Sequence, residues 1–162
     1  MRIAPIYEGT NGIQAMDLVG RKLPMRAGGV YQDQVAKMRA TLADLEAGGD
    51  DLVVIHRELA AAIGTLDEAT QWVLEHGMSD PVEALSAATP YQRLFATVAA
   101  GWLMGVSAVA AKRLLDAGTG DVSVLQAKLV TSRFFARHLL PQVHGLLPAV
   151  TAGKDDLFEF RF

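Results

Sequence analysis

One short stretch near the start of the chain, Ile6 to Gln14, combines residue types that could do chemistry. Glu8 supplies a carboxylate that can act as a base, and Gly9 beside it lets another molecule approach the main chain closely. Thr10 and Asn11 are residue types that cap a helix, and the free N–H groups of a helix start attract phosphate. A base beside such a helix start is an arrangement that a cofactor-dependent enzyme can use. The alternative is that Glu8 only complements the helix dipole.

The rest of the sequence offers no rival motif. The histidines, His56, His76, His138 and His144, are too scattered for a local set of metal ligands, and no HExxH motif is present. We therefore predict surface or capping roles for them and no metal site. The segment Gly118 to Gly120 lacks the lysine of a phosphate-binding loop, which favours a turn between helices.

Composition limits the classes of function. Of the 162 residues, 51% are apolar and 20% are charged, and the net charge is −3, which predicts a globular domain. Arg133 and Arg137 form a small basic stripe but no basic block exists, so we predict that nucleic acid is not a partner. The chain has no cysteine, which excludes disulfides and thiol catalysis and agrees with a reducing, cytoplasmic location.

The hydrophobic pattern predicts an all-α protein, an up-and-down bundle of about five helices. A first helix should follow the Glu8 stretch, with Thr10 or Asn11 as its cap, and Gly28-Gly29 is the best candidate for a linker. The second helix should cover about Tyr31 to Ala47, with Val35, Met38, Leu42 and Leu45 on its apolar face.

Turn residues divide the remaining chain. A third helix, capped by Asp50 or Asp51, should end at Gly77. One face of it should carry the apolar residues Leu52, Ile55, Leu59, Ile63, Leu66 and Val73. Asp80-Pro81 should then open a short helical piece. After the restart at Pro90, a helix should run to about Leu115. A last long helix should run from about Val122 to Val150, with a kink at Pro141. The C-terminal tail alternates apolar and polar residues, which predicts either a docked extended segment or a frayed end.

The run from Leu94 to Ala111 carries no charge, and Gly101 and Gly105 match the spacing of small residues in membrane helix pairs. Because the run is rich in Ala, Ser, Thr and Gly, we predict a buried bundle helix rather than a membrane span. The two glycines would then let a neighbouring helix come close.

The segment Arg2 to Lys22 closely resembles the C-terminal catalytic segment of acyl-CoA dehydrogenases, above all in its Tyr-Glu-Gly-Thr core (7–10) followed by Ile13-Gln14. Beyond Gly28-Gly29 the chain is similar, in general helical pattern, to the additional C-terminal helical domain of a longer subgroup of that family. The resemblance predicts two units. Residues 1–27 would be the end of the dehydrogenase helical domain, and residues 28–162 would be a C-terminal helical bundle domain.

The resemblance also implies roles for single residues. Glu8 would be the catalytic base that removes the α-proton of an acyl-CoA thioester, while a hydride passes from the β-carbon to FAD. Gly9 would lie next to the substrate, and Tyr7 would shape its pocket. The positions expected to contact FAD are Thr10, Asn11 and Gly12. The chemistry requires a carboxylate whose pKa is raised by a dry site.

The family's flavin-binding sheet domain and most of its helical domain have no counterpart in this sequence. We therefore expect an excised or separately encoded C-terminal part of an enzyme, inactive by itself. The complete enzyme would bind acyl-CoA, transfer electrons to a partner and form a homo-oligomer. One alternative is a non-catalytic helical module for oligomerisation or for covering the substrate entrance. A weaker alternative is a relative of acyl-CoA oxidases, which pass the electrons to oxygen.

Overall fold

Helices account for every regular element in this computed structural model, which describes the backbone of residues 8–159 and the side chains of residues 10–159. No strand occurs within that range, and the predicted all-α class is confirmed. The elements in chain order are α1 (Glu8–Asp17), a π-helical turn (Leu18–Lys22), α2 (Gly29–Ala47), a 3-10 turn (Gly49–Asp51), α3 (Val53–Ser79), α4 (Pro81–Ser86), α5 (Ala88–Asp116), α6 (Val122–His138), a second 3-10 segment (Leu140–Gly145), α7 (Leu147–Val150) and α8 (Asp155–Phe158).

Helices α2 and α3 are antiparallel neighbours. Tyr31, near the start of α2, donates a hydrogen bond to Asp67, far along α3. Leu45, near the end of α2, and Leu59, near the start of α3, both lie against Gly105 of α5. Because the connection between the two helices is short, they bury both apolar faces by packing side by side as a hairpin.

Helix α5 runs antiparallel to α3 and to α6. Its first turn meets α3 where the Thr70 and Tyr91 hydroxyl groups lie 2.8 Å apart. Its middle meets α6, where Ser132 donates a hydrogen bond of 3.0 Å to the carbonyl oxygen of Met104. The four long helices therefore alternate in direction, as expected for an up-and-down bundle.

The core follows the face that the sequence predicts for α3. The residues of that face are 0–1% exposed, and they are Leu52, Ile55, Leu59, Ile63, Leu66 and Val73. Full burial of each large aliphatic side chain stabilises the fold by about 1.5–3 kcal/mol relative to exposure. Of the four residues predicted for the apolar face of α2, Val35, Met38 and Leu45 are likewise buried, whereas Leu42 is half-buried.

Helix α5 is apolar beyond its buried face, since Leu103, Val106 and Leu114 are 53%, 41% and 44% exposed. By length and composition it could cross a membrane, the one helix between residues 8 and 159 for which this holds. It packs against α2, α3 and α6, and Gly101 and Gly105 are both buried. A Cβ on Gly105 would lie 3.3 Å from the Leu45 side chain of α2, so this glycine allows the predicted close helix contact, whereas Gly101 lies against Leu140 of the second 3-10 segment.

Two of the predicted helix caps are wrong and one is confirmed. Thr10 and Asn11 lie inside α1, so neither caps it. The Asp50–Asp51 pair forms part of a 3-10 turn, and no side chain caps the start of α3. Asp80 does cap α4, since its carboxylate accepts the N–H of Val82 at 2.9 Å.

Helix α3 continues through Gly77 to Ser79, so the predicted stop at Gly77 is also wrong. Helix α4 turns back against α3 at that point, and a Cβ on Gly77 would lie 2.8 Å from the Cβ of Ala84. The glycine is therefore required by a close contact between helices and not by a left-handed helix end.

The C-terminal third of the chain does not form the single kinked helix that the sequence predicts. Helix α6 ends at His138, and Pro141 lies in the 3-10 segment that follows, so the helix is broken rather than kinked. The sequence predicts that the tail is either a docked extended segment or a frayed end, but residues 155–158 form the short α8, whose Leu157 and Phe158 are 62% and 68% exposed. Residues 160–162 of the predicted docking segment lie outside the described residues.

Candidate functional site

The candidate catalytic stretch forms the first turns of α1. Glu8, Gly9, Thr10, Asn11 and Gly12 occupy successive helical positions, so the carboxylate-bearing residue belongs to a helix and not to irregular backbone. The structure therefore brings the predicted substrate and cofactor positions together on one short element. The remaining predicted residue, Tyr7, lies outside the described residues.

The accessible side of this turn is polar. Thr10 and Asn11 are exposed, and they offer a hydroxyl and an amide for hydrogen bonding. Gly12 faces open space, because a Cβ placed there would meet no heavy atom within 4 Å. Accessible donors and acceptors beside an open glycine can hydrogen-bond to a polar ligand.

The opposite side of α1 is fixed to the bundle. Ala15, Val19 and Leu23 are 1%, 4% and 3% exposed, and they join the hydrophobic core where α1 meets α5 and the π-helical turn meets α4. Ile13 and Met16 remain largely exposed on the other faces. Apolar packing thus fixes the helix to the bundle while Thr10, Asn11 and Gly12 remain exposed.

The end of α1 widens into the π-helical turn Leu18–Lys22. The N–H of Leu23 donates to the carbonyl oxygen of Leu18 at 2.8 Å, which is the i→i+5 pattern of a π-helix. Such turns are rare and are frequent at functional sites. The sequence carries no residue that predicts this wider turn.

Asp17, at the end of α1, forms ion pairs with two residues of the π-helical turn. Arg21 Nε and Nη2 donate to the two carboxylate oxygens of Asp17 at 2.6 and 2.9 Å, and Lys22 Nζ lies 3.2 Å from Asp17. The hydrogen bonds from Arg21 are the main cause that lowers the pKa of Asp17 to about 2. The carboxylate therefore stays ionised and paired at neutral pH.

The histidines have structural contacts. His144 Nδ1 lies 2.7 Å from the Thr65 hydroxyl, and the rings of His76 and His138 pack on Trp72 and Phe134. Among the described residues, no group of three or more His, Asp or Glu side chains is placed to hold a metal ion.

Sequence reasoning missed a groove of about 590 Å³ between the π-helical turn, α2 and α5. We call it the basic groove, because three of its lining residues, Lys22, Arg26 and Lys37, are cationic. The side chains of Tyr31 and Phe95 form part of its wall. These residues are widely separated in the chain and belong to no motif, so only the fold reveals them.

Comparisons with known proteins agree on one family of enzymes. Residues 34–161 match the family described as "acetyl-CoA dehydrogenase C-terminal like". A 3-methylmercaptopropionyl-CoA dehydrogenase of Ruegeria pomeroyi is 38% identical over 157 residues, which are 96% of this chain and 26% of that protein. A butyryl-CoA dehydrogenase of Syntrophomonas wolfei is 29% identical over 92% of this chain and 25% of its own length.

A broad-specificity linear acyl-CoA dehydrogenase of Mycobacterium tuberculosis, FadE5, is also 29% identical, over 98% of this chain and 27% of its own length. The chain spans about a quarter of the length of these curated relatives.

Proposed function

Because the chain belongs to the acyl-CoA dehydrogenase family, we propose that it acts as the C-terminal part of an FAD-dependent acyl-CoA dehydrogenase. The reaction is the α,β-dehydrogenation of an acyl-CoA thioester to the trans-2-enoyl-CoA. The observation that carries the proposal is the placement of the Glu8 motif on α1, a helix that the matched bundle anchors.

In this proposal Glu8 is the base. Its carboxylate accepts the α-proton of the thioester, and the β-hydrogen leaves with its electron pair as the new double bond forms. FAD, when bound, supplies the acceptor of that hydride. Thr10 and Asn11, which are exposed, would hydrogen-bond to the cofactor, and Gly12, which faces open space, would leave room for its approach. Gly9 and Tyr7 border the acyl group.

We further propose that the chain does not catalyse the reaction by itself. A carboxylate removes a weakly acidic C–H proton efficiently when a dry site raises its pKa. Thr10, Asn11 and Gln14 of α1 are exposed, so the turn that carries Glu8 borders solvent. A covering surface from the rest of the enzyme would provide the dry site. Homo-oligomerisation, an electron-transfer partner and a cytoplasmic location belong to the same proposal.

The direct test grafts this chain onto a relative. The chain replaces the matching C-terminal quarter of the Ruegeria pomeroyi dehydrogenase, and the purified chimera is mixed with its acyl-CoA substrate without oxygen. We expect a yellow protein whose flavin absorbance bleaches. Glu8→Gln in the chimera should leave the bound flavin spectrum unchanged and abolish bleaching. Glu46→Gln, the same change at an exposed position of α2, is the matched control and should bleach normally.

The second candidate is a non-catalytic module for oligomerisation or for covering the substrate entrance. It is favoured by exposed apolar side chains, namely Ile13 and Met16 on α1 and Leu157 and Phe158 on α8. A Glu8→Gln chimera that bleaches as fast as the unsubstituted chimera would overturn the catalytic role and support this module. A 162-residue chain that binds FAD and bleaches with acyl-CoA would overturn the proposal that it is inactive alone.

A further inference from the structure

We propose that the basic groove binds a small organic anion that has an apolar body. The site goes beyond the proposed dehydrogenation and does not depend on it. Its volume of about 590 Å³ lies in the range of small-molecule pockets. Its lining combines cationic side chains with aliphatic and aromatic ones, the combination that such a ligand would recognise.

The cationic side comes from three separate segments. Lys22 ends the π-helical turn, Arg26 lies in the following turn, and Lys37 projects from α2. Two of these cations already have a partner, since Arg26 pairs with Asp33, the single carboxylate in the lining, at 2.5 Å, and Lys22 pairs with Asp17 at 3.2 Å. Lys37 takes part in none of the ion pairs formed within residues 10–159, so its charge is available to a ligand.

The aromatic wall is held in place before any ligand arrives. The rings of Tyr31 and Phe95 pack with centroids 6.4 Å apart, and the Tyr31 hydroxyl donates to Asp67 at 2.6 Å. Arg39 pairs with the second oxygen of Asp67. Burial, followed by the hydrogen bond to Asp67, raises the pKa of Tyr31, so the wall stays neutral. A wall that is already ordered loses little entropy on binding.

Two uncommon backbone conformations bring Lys22 and Arg26 to the groove. The first is the π-helical turn that carries Lys22. The second is a run of three left-handed residues, Arg26, Ala27 and Gly28, with φ of 52°, 53° and 85°. Non-glycine residues adopt this conformation only where the surrounding structure imposes it, and such strain is concentrated at ligand sites. Both features border the same cavity.

The test is an NMR titration of isotope-labelled 162-residue chain with octanoate. We expect saturable shifts confined to residues 18–37 and 95–99. Octanamide, which has the same body without the charge, should bind at least about tenfold more weakly, since a charge-assisted contact is lost. Acetate, which has the charge without the body, should cause no saturable shift.

Substitutions identify the groove as the site. Lys37→Glu should weaken octanoate binding by about tenfold or more, because an attraction becomes a repulsion. Ala99→Trp should do the same by filling the cavity. Lys128→Glu, the same charge change at an exposed position of α6, should leave the affinity unchanged. Thermal melts monitored by circular dichroism will show whether each variant is folded, and Lys37→Glu is decisive if Ala99→Trp is not.

Three results would overturn the proposal. Equal affinities for octanoate and octanamide would show that the cationic side chains do not contribute to binding. Unchanged binding in folded Lys37→Glu would place the ligand elsewhere. The third is self-association that Lys37→Glu abolishes and octanoate does not inhibit. It would mean that the groove instead takes an acidic segment of a second copy, such as Asp155–Glu159.

Discussion

Gly101 of α5 lies so close to Leu140 that a Cβ on residue 101 would be 2.5 Å from Leu140 Cδ2. Leu140 is 1% exposed and cannot move into solvent to make room. Gly101→Ala should therefore destabilise the chain by about 1–3 kcal/mol, the usual cost of overpacking a core. The measurement is the free energy of unfolding from a urea titration.

Gly64 provides the matched control for that substitution. It lies in the interior of α3 and is exposed, and a Cβ there would meet no heavy atom within 4 Å. Gly64→Ala should stabilise the chain by about 0.5–1 kcal/mol, because alanine restricts the unfolded chain more than glycine does. Equal effects of the two substitutions would contradict the close contact at Gly101.

The buried hydroxyl pair of Thr70 and Tyr91 should respond unequally to its two deletions. Thr70 donates its proton to the carbonyl oxygen of Leu66 at 2.7 Å, so Tyr91 must be the donor in the 2.8 Å bond between the hydroxyls. Thr70→Val leaves the buried Tyr91 hydroxyl without an acceptor and should cost about 1–3 kcal/mol of unfolding free energy. Tyr91→Phe removes one bond and leaves no donor unpaired, so about 0.5–1.5 kcal/mol is expected.

The double variant tests the same assignment. Once the threonine hydroxyl is gone, removing the tyrosine hydroxyl relieves an unsatisfied donor, so the two costs should not add. A Tyr91→Phe variant that is less stable than Thr70→Val would reverse the donor and acceptor roles assigned above.

Asp17 should titrate far below an ordinary aspartate. Its pKa falls from 3.8 to about 2 in the folded chain, chiefly through the hydrogen bonds from Arg21. Since the folded pKa is the lower one, the pair stabilises the fold fully above pH 3.8, and this contribution is lost as the pH falls through about 2. Carboxyl NMR titration should give a midpoint near 2, and Arg21→Gln should raise it.

Lys22 separates the two causes of that shift. It lies 3.2 Å from Asp17, and it contributes less than Arg21. Lys22→Gln should therefore raise the Asp17 midpoint by less than Arg21→Gln does. The reverse order would show that simple charge, and not the paired hydrogen bonds, controls the carboxyl group.

Asp121 and Asp50 both precede a helix, and we expect Asp121 to contribute more to the stability of the fold. Its carboxylate accepts the N–H groups of Ser123 and Val124 at 2.9 and 3.2 Å, which caps α6. Asp121→Ala should lower the melting temperature, and Asp121→Ser should recover most of the loss, because serine is also a good cap. Asp50→Ala, at a position without a capping bond, should have little effect.

Local sequence patterns predicted the structure correctly wherever it depends on a single helix face or on a few neighbouring residues. The apolar spacing along α3 identified Ile55, Leu59 and Leu66 correctly, because a repeated burial pattern leaves one face for the core. The Asp80-Pro81 start of α4 was equally readable, because its chemistry is complete within a few residues.

Contacts between distant segments account for the errors. Gly77 resembles a helix stop in sequence, but its neighbour Ala84 makes it a point of close packing within a continuing helix. The basic groove could not be predicted for the same reason, since Lys22, Lys37 and Phe95 meet only through the bundle. At the candidate catalytic site, the motif predicts roles for Glu8 to Gly12, but the π-helical turn that follows α1 has no recognisable sequence signal.

The π-helical turn makes the orientation of the Glu8 motif sensitive to the number of residues that connect α1 to Leu23. Each residue of an α-helix advances the chain by about 100° around the helix axis. Deleting one residue from Leu18–Lys22 would allow an unbroken α-helix, and holding Leu23 in the core would then rotate residue 8 by about that angle. Every residue of the motif and every core contact beyond Leu23 would be unchanged. One extra residue in the π-helical turn thus sets the direction in which the Glu8 motif faces relative to the bundle.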